Sequence, residues 1–227
     1  MKYSVIAIDG PAGAGKGTVA QIIAEKLGFL YIDTGAMYRA VTLHICRKKI
    51  DINNICKIVS ALKECEILFK VSDGKQLIYL NGEDVSEAIR TTDISSLVAP
   101  ISAITSVRNY LVDIQREYAN KNNLVMEGRD IATNVYPDAM LKIFLTATVE
   151  ERARRRQKQW EEKGIFEDFE KIKEDISHRD IIDSSRSDNP LKKDPEAILI
   201  ESDNMSIDDV VNEIISCFNK KKFELNI

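Results

Sequence analysis

GPAGAGKGT, residues 10–18, follows an apolar run at residues 3–8 and precedes a helix-patterned stretch at residues 19–27. The spacing G-x4-G-K, set between a strand and a helix, is that of a P-loop. Gly10, Gly13 and Gly15 admit backbone conformations closed to residues with a Cβ, so that N–H groups point into the turn. A helix beginning near Lys16 adds its positive dipole end and unpaired N–H groups. Lys16 supplies a mobile ammonium for the outer phosphates. Gly10, Pro11, Ala12, Gly13, Ala14, Gly15, Lys16, Gly17 and Thr18 are therefore the candidate cradle for a nucleotide phosphate.

One departure inside the motif narrows the class. The usual P-loop places Ser or Thr directly after the lysine to hold Mg²⁺, but here that position is Gly17 and the hydroxyl follows at Thr18. Mg²⁺ would then be gripped weakly by the loop, with phosphates, waters and a carboxylate elsewhere completing its octahedron. The GKGT ending resembles nucleoside monophosphate kinases more than GTPases or motor ATPases, and the chain has no NKxD-type guanine signature.

The 227 residues, 44% of them hydrophobic, suffice for one domain with insertions. A net charge of −4 argues against nucleic-acid binding, which calls for a basic excess, so a phosphate ligand must be met by local arginines. Cys46, Cys56, Cys65 and Cys217 form no CxxC pair and read as free thiols of a reducing cytoplasm. Two histidines, His44 and His178, leave little for a histidine metal site or a catalytic triad. The first strand begins within a few residues of Met1, leaving no room for a signal peptide, and no apolar run reaches the roughly 18 residues of a membrane span. The expected location is cytoplasmic.

Short apolar runs at residues 4–8, 29–32, 124–126, 141–145 and 197–200 alternate with helix-patterned segments. That alternation predicts an α/β fold, a five-stranded parallel sheet flanked by helices, with ligands at the carboxyl ends of the strands. Residues 66–71, 76–80 and 83–85 break the alternation and predict a small antiparallel insert, with turns at residues 72–75 and at Asn81-Gly82. Helical stretches at about 52–65 and 86–119 flank it.

Four clusters beyond the P-loop bear charge. In DTGAMYRAVT, residues 33–42, Asp33 or Thr34 is placed to cap a helix carrying Tyr38 and Arg39 one turn in. Arg39 reads either as a solvent-facing side chain or as a phosphate ligand. In EGRDIATNVYPDA, residues 127–139, Glu127 or Asp130 is placed to anchor Mg²⁺ through water and Arg129 to face a phosphate. In RDIIDSSR, residues 179–186, helical pitch puts Arg179, Asp183 and Arg186 on one face, as an ion-pair ladder or as a wall for a phosphate and base. In ERARRR, residues 151–156, Arg152, Arg155 and Arg156 share a face with Arg154 turned away; they suit a lid over the transferring phosphoryl group, ending near Gly164. Arg108 stands evenly between a solvated helix residue and a site residue.

Taken in order, IAIDGPAGAGKGT, YIDTGAMYRAVT, GEDVSEAIRT, EGRDIATNVYPDA, KIFLTATVEERARRR and RDIIDSSRSDNPL resemble bacterial cytidylate kinase, from the P-loop to about Val211. The resemblance implies a single P-loop kinase unit over residues 1–227: a core of 1–33, 120–150 and 165–227, a CMP-binding region with the antiparallel insert at 34–119, and a lid at 151–164. It implies ATP-dependent phosphorylation of CMP and dCMP, with Mg²⁺ as cofactor, by a monomer that meets neither nucleic acid nor membrane. The ATP phosphates fall to residues 10–18, with Lys16, Arg152, Arg155 and Arg156 catalytic. Arg39 and Arg129 fall near the CMP phosphate, with Tyr38 and Arg108 in the same pocket, and Thr34, Asp130, Arg179, Asp183 and Arg186 on base and sugar. No strong protein ligand for the metal is implied, only Asp33 or Glu127 through water. Thr34 stands where serine is also familiar in the family, Glu127 where aspartate is, and Ala132 and Asn134 replace a glycine and a valine. A phosphotransferase acting on an alcohol such as shikimate or gluconate, with Asp33 taking the hydroxyl proton, is the alternative chemistry; a nucleotide-binding regulator without turnover is another.

Overall fold

A computed structural model describes residues 3–72, 75–162 and 164–225. Val5–Asp9 (β1), buried throughout, runs into the phosphate turn, and Lys16–Leu27 (α1) leaves it. Leu30–Asp33 (β2) leads into Thr34–Arg47 (α2). Ile55–Leu62 (α3) precedes the strands Ile67–Ser72 (β3), Lys75–Leu80 (β4) and Glu83–Asp84 (β5), and Thr92–Ser102 (α4) and Thr105–Ala119 (α5) follow. Leu124–Gly128 (β6), Leu141–Thr146 (β7), Val149–Glu161 (α6), Phe169–Ser185 (α7), Ile198–Glu201 (β8) and Ile207–Glu224 (α8) complete the chain.

Five strands form one sheet in the order β2-β6-β1-β7-β8, and β1 lies parallel to β6 on one side and to β7 on the other. The apolar side chains on one of its faces make one core with a helix layer: Ile6, Ile8, Val125, Ile143, Leu145 and Ile200 meet Val19, Ala20 and Ile23 of α1 and Val210, Val211 and Ile214 of α8. Each such aliphatic side chain contributes about 1.5–3 kcal/mol on burial, so the predicted α/β alternation follows from where these residues must go. Phe218 closes the end of that core with an edge-to-face contact to Phe29, centroids 5.6 Å apart. Gly10 is obligatory at the exit of β1, since a Cβ there would overlap the Leu145 carbonyl oxygen of the neighbouring strand.

The residues before Ile32 and after Tyr118 form one compact unit, and Ile32–Tyr118 forms a second. Within the second, β3, β4 and β5 make the antiparallel sheet expected from the sequence. Asn81 and Gly82 both take positive φ, 51° and 82°, and the register Leu80↔Glu83 leaves them as a two-residue hairpin loop. Asp73 and Gly74 of the turn predicted over 72–75, and Lys163 of the segment 151–164, lie outside the described residues. The stretch at 86–119 is not one helix: a short 3₁₀ turn, Ala88–Arg90, precedes α4, whose start is set by the Thr91 hydroxyl accepting from the Ile94 N–H at 3.4 Å. Among the described residues no helix is long and apolar enough to cross a membrane.

Candidate active site

At the carboxyl end of β1 the chain turns through Gly13 and Gly15, with φ of 79° and 86°, into α1. Gly15 precedes the helix without any side-chain cap, so the first-turn N–H groups are left to an anion. Lys16 is buried, donates to the Pro11 carbonyl at 2.9 Å and lies 3.9 Å from the Glu127 carboxylate. Burial, and then the Arg129 guanidinium, push its ammonium down to about 7, against the pull of Glu127 and Asp9. Thr18 is exposed one residue beyond Gly17.

Arginines of α6 are tied into this loop. The Thr148 hydroxyl caps α6, and the Asp203 carboxylate in turn holds Thr148 through its N–H and hydroxyl. Arg152, buried, spends its guanidinium on the Ala147 carbonyl at 2.9 Å, the Ala12 carbonyl at 3.0 Å and the Asp180 carboxylate at 2.7 Å. Arg155 pairs with Glu151 at 3.0 Å and donates to the Ser202 carbonyl at 2.6 Å. Arg156 stacks over Trp160, 5.7 Å from its centroid, and Arg154 points to solvent as the helical spacing predicts.

The second cluster gathers where β6 ends. After Gly128 the chain makes a five-residue π-helical turn, Ile131–Val135, marked by bonds from Val135 N–H to the Asp130 carbonyl and from Tyr136 N–H to the Ile131 carbonyl. Asp183 of α7 receives two guanidinium groups, Arg129 at 2.9 Å and Arg179 at 3.1 Å. Burial alone would raise its pKa, but Arg129 and Arg179 outweigh burial and hold it below the ordinary carboxylate value. Arg186 corrects the shared face expected at 179–186. The helix ends at Ser185, Arg186 takes an extended backbone (φ −62°, ψ 144°), and its side chain reaches Asp130 at 3.2 Å rather than lining up with Asp183.

In the second unit Asp33, not Thr34, caps α2: its carboxylate accepts from the Ala36 N–H at 2.8 Å. Thr34 is buried in the first turn, with Tyr38 and Arg39 half-buried one turn on. Arg108 is 2% exposed, which excludes a solvated helix residue; it donates to the Ser102 carbonyl at 3.3 Å and its guanidinium sits 5.7 Å from the Tyr38 ring centroid. A buried guanidinium is retained where it has anionic or aromatic partners to meet.

Among the described residues no three His, Cys, Asp or Glu side chains gather as a metal cage. One carboxylate is nevertheless well placed. A Cβ on Gly17 would stand 2.9 Å from Glu127 Oε1 and 3.3 Å from the Tyr31 hydroxyl, and Tyr31 itself donates to Glu127 at 3.2 Å. The space a P-loop Ser or Thr would need is filled by Glu127. This donor set fits Mg²⁺, which keeps several waters and takes one or two carboxylates plus substrate phosphates.

A family model for cytidylate kinase matches residues 6–220. The chain belongs to the cytidylate kinase family. A cytidylate kinase of Lactobacillus gasseri is 49% identical over 217 residues, 96% of this chain and 94% of its own. One of Caldicellulosiruptor saccharolyticus is 46% identical over 220 residues, 97% of each chain. Among solved structures, an uncharacterised protein of Eubacterium ventriosum superposes with a TM-score of 0.52 at 15% identity, covering 96% of this chain and 99% of that one, a likeness of fold alone. This kinase is thus an enzyme of the nucleoside monophosphate kinase class, and family membership implies ATP-dependent phosphorylation of CMP.

Two carboxylates inside the quoted motifs have partners that the sequence did not foresee. Asp180, which braces Arg152, lies beside Arg179 but off the Arg179–Asp183 stripe. Asp9 is 2% exposed and accepts from the N–H groups of Ile131 and Ala132, each at 2.8 Å. The one signal for it is a charge closing an otherwise apolar strand. Burial raises Asp9 from 3.8 to about 6, the two N–H bonds only partly offsetting it. A folded-state pKa above the unfolded one means the charged carboxyl opposes folding above about pH 6 and not below about pH 4, a difference of about 3 kcal/mol. Urea unfolding at pH 4 and pH 7 should therefore show Asp9→Asn gaining about 3 kcal/mol on the wild type as pH rises; an unchanging difference contradicts the assignment. Gly17→Ala should displace Glu127 and lower kcat at least tenfold while the fold persists, read by steady-state turnover beside a thermal melt.

Proposed function

We propose that this kinase transfers the γ-phosphoryl group of ATP to the phosphate of CMP, and of dCMP, with Mg²⁺ as cofactor and without a dedicated general base. What supports this most is the pair of cations where β1 and β6 end: the half-buried Arg129 guanidinium lies close enough to the buried Lys16 to depress its ammonium further, and two cations so near one another suit polyanionic partners. An acceptor that is itself a phosphate is anionic at neutral pH and attacks phosphorus without losing a proton to the protein, so the enzyme's task is positioning and charge neutralisation.

In this reading residues 10–18 bind the ATP phosphates through backbone N–H groups and Lys16, and Arg152, Arg155 and Arg156 spread charge around the transferring group. CMP recognition is assigned to Thr34, Tyr38, Arg39, Arg108, Arg129, Asp130, Arg179, Asp183 and Arg186. Arg39 and Arg129 serve the phosphate, Asp130, Asp183 and their arginines the base and sugar, since carboxylates accept from an exocyclic amine or ribose hydroxyl. Mg²⁺ would be held chiefly by phosphates and waters, with Asp33 or Glu127 reaching it through water; the metal, when bound, would neutralise phosphate charge. A lid at 151–164 would exclude water that otherwise hydrolyses ATP. The enzyme is proposed to act as a cytoplasmic monomer.

A coupled assay of ADP release across CMP, dCMP, UMP, AMP, shikimate and gluconate tests the substrate class. Turnover is expected with CMP and dCMP above the rest, and activity confined to an alcohol overturns the reading. Lys16→Ala should lower kcat by orders of magnitude with the fold retained. Arg186→Ala should raise the CMP KM about tenfold or more, the cost of one charge-assisted contact, while the ATP KM stays within twofold.

A further inference from the structure

We infer that Asp9 is a positioning residue for acceptor recognition: its carboxylate, clamped on the N–H groups of Ile131 and Ala132, fixes the turn from which Arg129 and Asp130 project. The clamp is a capping interaction made from another strand. Ile131 and Ala132 open the π-helical turn, where backbone N–H groups lack helical partners. The residue in the capping position, Asp130, makes no side-chain cap. Its two oxygens serve Arg186, at 3.2 Å, and Asn134, at 3.0 Å, instead. Asp9 does the capping in its place, with one oxygen for each N–H, both at 2.8 Å. Asp130 is thereby left to hold Arg186 and Asn134.

Asp9 is also bonded covalently to Gly10, the first residue of the phosphate loop. One side chain therefore ties the loop that holds the donor to the turn that carries Arg129 and Asp130. Each N–H donor meets its own carboxylate oxygen, and a carboxamide of the same shape presents one oxygen and one NH₂ in their place. Burying this charge opposes folding at neutral pH, so its presence is accounted for by geometry and not by stability.

The inference rests on the acceptor reading above, and its test separates the two. In full-length Asp9→Asn, hydrogen exchange of the peptide spanning 128–136 should accelerate at Ile131 and Ala132. The CMP KM should rise about tenfold, with the ATP KM within twofold and the melting temperature at pH 7 no lower than that of the wild type. Unchanged exchange overturns the clamp, whatever the substrate proves to be. Accelerated exchange with an unchanged CMP KM overturns the positioning role, and a parallel rise of the ATP KM assigns Asp9 to the phosphate loop alone. Should Asp9→Asn not fold, Asp9→Ser, which keeps one acceptor, takes the same measurements with the same outcomes.

Discussion

Charge buried at the carboxyl ends of two adjacent strands is the constraint around which this kinase is arranged. Where β1 and β6 stop, Asp9, Lys16, Asp130 and Asp183 are all nearly inaccessible to water. An isolated buried ion is unaffordable, so each must be met by an opposite charge or by oriented N–H groups. Lys16 has Glu127 and the Pro11 carbonyl, Asp9 has two backbone donors, and Asp183 has two guanidinium groups. The parallel sheet makes this possible because its strand ends deliver unpaired backbone groups to one edge.

The same demand explains the arginines. None of the first unit's site arginines waits as a bare cation: Arg129 and Arg179 share Asp183, Arg186 holds Asp130, and Arg152 is engaged by two carbonyls and Asp180. Such pairing preorganises a guanidinium, so that, in the proposed function, a phosphate would meet a group already oriented. It also sets a competition, since each carboxylate partner tempers the attraction that an incoming anion feels. Glu127 is the sharpest instance, standing both against Lys16 and in the space that Gly17 leaves open.

Much of the fold was legible because it follows local rules. The glycine spacing of residues 10–18, five β-rich runs between helical segments and the Asn81-Gly82 hairpin each report on their own neighbourhood, and each stands where expected. The misjudged places are those where a local rule meets a tertiary one. Periodicity carried the 179–186 stripe one residue too far: the helix ends at Ser185, and Arg186, with an extended backbone, pairs with Asp130. The stretch at 86–119 is helix-patterned along its length, yet capping by Thr91 and the break after Ser102 divide it. Arg108 could not be assigned from spacing, since an arginine on a helix reads alike whether its face is wet or buried.

By itself the sequence determined the family, the phosphate loop, the layered α/β sheet and the set of charged residues from which a site is made, because these depend on residue type and on separations along the chain. Tertiary structure alone decided which charges are paired. That Asp9 caps a turn more than a hundred residues away, that Asp180 braces Arg152 against Ala12, and that Glu127 fills the space beside Gly17 are matters of distance in space. A carboxylate's role is set by the donors within hydrogen-bond reach, and folding, not sequence spacing, brings those donors together.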